Sequence, residues 1–331
     1  MAIAAVLGAG SWGTALALQL SRNRHSVQIW DCDTDLIDTL QTRNCNLRYL
    51  PDHPLPDSLS AHHDLADALA HADFVLVAAP SYAMRSVCDQ LVELRFPEKL
   101  AWATKGFEKA SGLMMHEVVA QVLGDKIKKA VLSGPSFAGE VASQLPAAVT
   151  LASDEPDCAE ELAGYFHSSS FRVYTSGDVI GVELGGTIKN VLAIAAGIAD
   201  GFGFGANARA ALVTRGLAEM MRLGQKLGAE RTTLMGLAGV GDLVLTCTDD
   251  QSRNRRLGLA LAHGKTAQQY MEELGQAVEG FHAAQVVHRI AQDHQVDMPI
   301  CTQVWRVLNG DAALETAISE LLSRDMKVEL A

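Results

Sequence analysis

Ala2-Ile-Ala-Ala-Val-Leu7, then Gly8-Ala-Gly10-Ser-Trp-Gly13, then Thr14-Ala-Leu-Ala-Leu-Gln-Leu20 is the stretch on which the fold turns. A short apolar run, a glycine-punctuated turn and a segment with apolar residues at helical spacing read as strand, turn and helix. A second apolar run, Val27-Gln-Ile-Trp30, follows and ends at Asp31, about twenty residues beyond the first glycines. Each glycine has its own reason. Gly8 permits the tight turn, Gly10 lets backbone N–H groups approach a ligand, and Gly13 lets the helix pack close to the strand.

Strand before, helix after and acid at the end of the second strand complete the dinucleotide fingerprint that a bare G-x-G-x-x-G only suggests. The helix N-terminus then faces the pyrophosphate. Asp31 would accept hydrogen bonds from ribose hydroxyls and repel a 2'-phosphate, which by itself favours NAD over NADP. The same acid also reads as a solvated turn residue.

The alternation continues with apolar runs at 74–79, 100–104, 130–132, 147–152 and 171–174, separated by helical patterns. That is the pattern of a doubly wound parallel sheet. Its ligands gather beyond the carboxyl ends of the strands, where Pro80-Ser81, Lys105-Gly106 and Ser133-Gly-Pro-Ser136 fall. Lys105 is placed to meet a substrate, although exposed lysines are common at strand ends. The block 133–140 reads as a small-residue turn entering a helix, with room for a ligand or as an ordinary helix start. From 179 onward the apolar spacing is helical, at 189–199, 208–227, 255–262, 283–292 and 313–322. We therefore expect an α/β dinucleotide-binding domain over 1–178 and an all-α substrate-binding domain over 179–331. No linker rich in Pro, Ser or charge marks the border, so the domains are expected to be tightly joined, with a natural cleft between them.

The 331 residues, 48% hydrophobic and 20% charged, suffice for a large core. A net charge of -12 and a pI near 5.3 argue against a nucleic-acid or anionic-membrane surface, so any anion must be met locally. Six scattered cysteines without a C-x-x-C pair point to reduced thiols. The apolar N-terminus has no basic leader and enters a glycine loop, and the run 191–199 is too short for a membrane span, so no membrane segment is expected. His62-His63 lies in a polar stretch without metal-ligand spacing, and no metal site is expected. The clusters at Gly201, Gly203 and Gly205 and at Gly239 and Gly241 lack the strand or the third glycine of a nucleotide turn and read as loops.

Two features of the second half carry chemistry. Glu183-Leu-Gly-Gly-Thr-Ile-Lys189-Asn190 runs into apolar residues 191–199, a costly place for an ammonium unless the charge is used. Lys189 is thus a candidate proton donor, or a lysine that snorkels from a buried helix. Asp242-Leu-Val-Leu-Thr246 precedes Ser252-Arg253-Asn254-Arg255-Arg256. Forked guanidinium donors inside an acidic chain suit a phosphate, and a helix start with a solvated charged face is the alternative.

Taken together, GAGSWGTALA at 8–17, ATKGFE at 103–108, SGPSFAGEVA at 133–142, ELGGTIKNVLAIAAGIADG at 183–201, GLAGVGDLVLTC at 236–247, SRNRRLG at 252–258 and VEG at 278–280 resemble the bacterial NAD(P)-dependent glycerol-3-phosphate dehydrogenases. The later blocks occur in family order and are far more specific than the glycine loop. The resemblance implies a Rossmann domain followed by a helical domain, a homodimer, and a cytoplasmic enzyme that interconverts dihydroxyacetone phosphate and sn-glycerol 3-phosphate for phospholipid synthesis. It implies Lys189 as the acid/base residue. Lys105, Gly134, Ser136, Asp242, Ser252, Arg253 and Asn254 fall on substrate positions, with Asn190 and Thr246 beside them. Ser11, Trp12, Ala138 and Glu279 fall on cofactor positions, and Lys105 and Arg253 near both ligands. One departure matters. Many relatives have Gly-Arg after the second strand where this chain has Asp31-Cys32, so use of NADP would need a cation from elsewhere, such as Arg43 or Arg48.

Overall fold

The computed structural model describes residues 1–124 and 126–326. The chain forms two compact units, one of Met1–Gly186 with Gly228–Asp242 and one of Thr187–Leu227 with the chain from Leu243 on. The division falls inside the helix Val179–Gly201.

The first unit is α/β. Its strands are β1 (Ile3–Leu7), β2 (Ser26–Trp30), β3 (Cys45–Asn46), β4 (Leu50–Pro54), β5 (Leu59–His62), β6 (Phe74–Val77), β7 (Lys99–Trp102), β8 (Lys128–Ser133), β9 (Ala147–Ala152) and β10 (Phe171–Ser176). Eight of them make one sheet in the order β10-β9-β8-β7-β6-β1-β2-β5, while β3 and β4 pair antiparallel. Side chains alternate along a strand, so Ala4, Val6, Phe74 and Leu76 enter one apolar layer and Ala5, Leu7, Val75 and Val77 the other. Helices cover both layers, which is why β1 and β6 read as unbroken apolar runs.

Two departures from the expected sheet have simple causes. The pairs from β5 through to β8 are parallel, but β9 runs antiparallel to β8, with β10 parallel to β9. The connection from β8 to β9 carries only the five-residue helix Ala138–Ala142. At about 1.5 Å per residue such a helix cannot recross a strand of roughly 20 Å, so the chain turns back at the same end. The second departure is β5, whose last residue is His62, placed by its sequence in a loop. Among the described residues it pairs with β2 alone, at the sheet edge, and a short edge strand with one wet face gives little apolar signal.

The second unit is helical, and no strand occurs among its described residues. Besides the continuation of Val179–Gly201 it contains Gly205–Leu227, Arg253–Ala262, Glu279–Asp293 and Leu314–Leu322, as the spacing predicted, together with Ala267–Leu274 and Pro299–Asn309. Val179–Gly201 is long and apolar enough to cross a membrane, yet 94% of its most apolar window is buried, the condition of a core helix. Close packing places the arginine helix. A Cβ on Gly197 would overlap the Arg255 carbonyl, and one on Gly258 the Ile194 carbonyl. The paired glycines let the two helix backbones approach directly.

Candidate active site

The glycine loop has the shape its spacing predicts. Gly8 (φ +115°) donates its N–H to the Trp30 carbonyl at 2.8 Å, and a Cβ there would lie 2.8 Å from the Ala78 backbone. A Cβ on Gly13 would overlap the Gly8 carbonyl oxygen, so Gly13 is what lets the helix Ser11–Arg22 start against the strand. Gly10 differs from both, because a Cβ added there would have no atom within 4 Å. That helix has neither a side-chain cap nor an acid in its first turn. An open glycine face before uncapped amides fits a pyrophosphate. Trp12 packs on the core, and its Nε1 is buried with no partner among the described residues.

Asp31 stands at the end of β2, with Oδ2 accepting from Ala9 N–H at 2.7 Å and Oδ1 from Asp33 N–H at 3.0 Å. It therefore ties the loop to the strand end as well as fixing a negative charge there. Asp33 caps the helix Thr34–Arg43 and pairs with Arg48, whose hydrogen bond holds that carboxyl below the usual range. Arg43 is exposed and Cys32 is an exposed free thiol. Asn46 carries a role its sequence did not show. Fully buried, it donates to the Ala9 carbonyl and to Thr14 Oγ1, both at 2.8 Å, and so clamps the loop from outside. Nothing in a lone Asn within a polar stretch signals this, because its partners lie more than thirty residues earlier.

A second group lies at the carboxyl ends of β7 and β8. Lys105 Nζ donates to Asp242 Oδ2 at 2.8 Å, with the Asp242 side chain 1% exposed. Asp242 follows a π-helical turn, Leu237–Gly241, where a loop was expected, and a Cβ on Gly239 would overlap the Leu234 carbonyl. Such turns are rare and re-aim the residues after them. Gly134 (φ +152°) lets β8 leave the sheet beside Val149, and Ser136 Oγ donates to its carbonyl at 3.1 Å. Ala138 opens the next helix. The pair Gly185-Gly186 has a packing cause, since a Cβ on Gly185 would overlap the Ala238 carbonyl and one on Gly186 would lie 2.6 Å from Ser133 Oγ. Ser133 Oγ is buried, with no partner among the described residues. On the same helix Glu183 accepts from Trp102 Nε1 at 2.9 Å and from His116 N and Nδ1 at 3.0 and 2.6 Å. Burial lowers the His116 pKa, but the Glu183 carboxylate outweighs it and the net shift is upward. An acid in an apolar helix was the readable signal for this anchor.

The helical unit gathers the remaining residues. Lys189 is 7% exposed, and its Nζ donates to Thr246 Oγ1 at 3.0 Å. Beside it, Asn190 Oδ1 accepts from Asn254 Nδ2 at 2.9 Å, and Asn254 Oδ1 accepts from Gly280 N–H at 2.8 Å. Ser252 caps the helix Arg253–Ala262 by accepting from Arg255 N–H, and Glu279 opens the helix Glu279–Asp293. The arginines separate. Arg253 is half-buried and donates to Gln276 Oε1 at 3.2 Å, Arg255 is buried in an ion pair with Asp200 at 2.8 Å, and Arg256 is exposed. Only the first combines partial burial with a position beside Asn254, so the forked cluster read from the sequence reduces to one arginine. Among the described residues no group of His, Cys, Asp and Glu could hold a metal ion.

A glycine phosphate loop on a mainly parallel sheet, followed by a helical unit with a buried lysine, defines a two-part NAD(P)-dependent dehydrogenase. Residues 3–159 match the family described as NAD-dependent glycerol-3-phosphate dehydrogenase N-terminus, and 178–319 its C-terminus. The glycerol-3-phosphate dehydrogenases (NAD(P)+) of Halorhodospira halophila and Thioalkalivibrio sulfidiphilus are 53% and 56% identical over 325 and 327 residues, covering 98% of this chain and of each relative. The crystal structure of the Coxiella burnetii glycerol-3-phosphate dehydrogenase matches with a TM-score of 0.94 at 47% identity, covering 98% of this chain and 99% of that one. The chain belongs to the bacterial NAD(P)-dependent glycerol-3-phosphate dehydrogenase family.

Proposed function

We propose that the protein reduces dihydroxyacetone phosphate reversibly to sn-glycerol 3-phosphate with NADH or NADPH, that Lys189 gives and takes the proton, and that the product feeds glycerophospholipid synthesis. The observation behind the role of Lys189 is an ammonium 7% exposed and hydrogen-bonded to a threonine hydroxyl. A buried ammonium aimed by a neutral hydroxyl has a proton to give.

Gly8, Gly10, Ser11, Trp12, Gly13 and Asp31, with Ala138 and Glu279, would hold the nicotinamide cofactor, and Lys105 and Arg253 would serve both ligands. When bound, that cofactor supplies the hydride received at C2 of the ketone. Lys189 donates its proton to the C2 oxygen as negative charge develops there, while the Thr246 hydroxyl fixes the direction of Nζ. Asp242 holds Lys105, whose ammonium is offered to the substrate. Arg253 offers forked donors to the phosphate, and Ser252, Asn254, Asn190, Gly134 and Ser136 complete the substrate side. Phosphate binding away from the reacting carbon helps hold C2 for transfer.

NADH is the preferred cofactor in this reading. Asp31 and Asp33 set two carboxylates at the end of β2, where a 2'-phosphate would add like charge, and Arg48 offsets only part of it. The protein acts in the cytoplasm as a homodimer. Initial rates with dihydroxyacetone phosphate and either cofactor test both parts. Oxidation of both, with a higher kcat/KM for NADH, is expected. No turnover with either cofactor removes the substrate assignment, and a clear NADPH preference removes the reading of Asp31.

A further inference from the structure

The residue between the first two glycines of the phosphate loop is gripped from both sides. Ala9 N–H donates to Asp31 Oδ2 at 2.7 Å, and the Ala9 carbonyl accepts from Asn46 Nδ2 at 2.8 Å and from Thr14 Oγ1 at 3.2 Å. Thr14 stands in the first turn of the helix Ser11–Arg22, where its own N–H donates to the Gly10 carbonyl at 3.0 Å. Asn46 Nδ2 also donates to Thr14 Oγ1, at 2.8 Å. One amide group bridges the loop residue before Gly10 and the helical turn after it.

An asparagine side chain has one carbonyl acceptor and two N–H donors. Asn46 gives its Nδ2 group to the loop, and its Oδ1 accepts from Tyr49 N–H at 3.1 Å, which anchors it in the turn between β3 and β4. The side chain is fully buried. With its amide engaged at both ends and no exposed surface, Asn46 acts on the loop rather than on a ligand. The action has a direction. In a trans peptide the C=O and the following N–H point opposite ways, and the chain has no cis peptide bond among its described residues. Fixing the Ala9 carbonyl on Asn46 therefore turns Gly10 N–H away from Asn46. Gly10 borders open space, since an added Cβ would have no atom within 4 Å, and the helix that follows has no side-chain cap. Out of water, such amide bonds are strong and directional.

We infer that Asn46 is a positioning residue for the cofactor, holding the Ala9–Gly10 peptide and the first helical turn so that their N–H groups meet the pyrophosphate. The inference rests on the proposed reading of the glycine loop as the cofactor site. Affinity for NADH depends on this clamp, and the chemical step does not.

The test uses Asn46→Ala, Gly10→Ala and the double variant in the full-length protein. Measured for each are Kd for NADH by fluorescence titration, kcat and KM for dihydroxyacetone phosphate at saturating NADH, and melting temperature. Asn46→Ala is expected to weaken NADH about 5- to 30-fold, the cost of a misdirected charge-assisted hydrogen bond, with kcat and KM for dihydroxyacetone phosphate within about threefold of wild type. Gly10→Ala already holds the pyrophosphate away from these amides, so the double variant is expected to bind NADH within about threefold of Gly10→Ala alone. Losses that multiply in the double variant overturn the inference, because a general structural defect would add to the loss at Gly10. So does wild-type NADH affinity in folded Asn46→Ala, and so does a lowered kcat with NADH affinity retained. If Asn46→Ala does not fold, Asn46→Leu, which fills the space without a donor, takes its place in the same cycle. Failure of the clamp leaves Gly10→Ala weak for NADH, whereas failure of the underlying reading leaves Gly10→Ala with wild-type affinity, so the two are told apart.

Discussion

Replacing Gly10 and Gly13 by alanine, one at a time, separates ligand access from packing in the glycine loop. Gly10 sits at φ -67° and ψ -177°, a conformation alanine adopts freely, and no atom lies within 4 Å of the new Cβ. The loss of an N-cap glycine and the reduced freedom of the unfolded chain roughly cancel, so stability should change by less than about 1 kcal/mol. Binding should not be spared. A methyl group on the open face holds a pyrophosphate away from the helix amides, and losing one charge-assisted hydrogen bond of about 1.5–3 kcal/mol weakens NADH roughly 10- to 150-fold. Gly13→Ala has the opposite profile, because its Cβ overlaps the Gly8 carbonyl oxygen and the helix start must shift. About 1–3 kcal/mol of overpacking is expected, with a melting point lower by several degrees. Fluorescence titration with NADH and thermal melts of the two variants decide the matter. Wild-type NADH affinity in folded Gly10→Ala would refute the reasoning, as would an unchanged melt for Gly13→Ala.

Arg253→Ala should lower kcat/KM for dihydroxyacetone phosphate about 100-fold or more through loss of a forked phosphate partner; an unchanged kcat/KM contradicts that role. Arg48→Ala leaves Asp33 uncompensated at the end of β2 and should cut kcat/KM for NADPH about three- to tenfold while leaving NADH within twofold, whereas equal effects on both cofactors would make Arg48 irrelevant to the choice. Glu219 gives a pH dependence. Burial pushes its carboxyl up to about 7 against the backbone N–H groups of Ile300 and Cys301. A folded-state pKa above the unfolded value means the associated stability is full below about 4.5 and is lost as the pH rises through about 7, by up to roughly 3 kcal/mol. Denaturant unfolding of wild type and Glu219→Gln at pH 5 and pH 8 should show the larger loss in the wild type, and parallel losses would refute the linkage.

What could be read from the sequence was what local chemistry determines. Runs such as Ile3–Leu7 and Phe74–Val77 are apolar because both faces are covered, and the glycines at 8, 10 and 13 announce a turn whatever lies around them. The unbroken helical spacing from 179 on separated sheet from helix. What stayed hidden depends on partners distant in the chain. Asn46 looks like any loop asparagine until Ala9 and Thr14 are placed against it. Arg255 looks like Arg253 until Asp200 claims it. The reversal at β9 follows from the reach of a five-residue helix, which spacing alone does not reveal. Of the site, Lys189 was legible as a misplaced charge, but its bond to Thr246 and the line from Gly280 through Asn254 to Asn190 are products of helix packing.

The proposed mechanism stands or falls with the ammonium of Lys189, and the turnover of Lys189→Ala with NADH and dihydroxyacetone phosphate measures its contribution directly. The variant should fold, bind NADH within about twofold of wild type and lose about 10²- to 10⁴-fold in kcat, the usual contribution of a positioned general acid. A folded Lys189→Ala protein with near-normal kcat would contradict it.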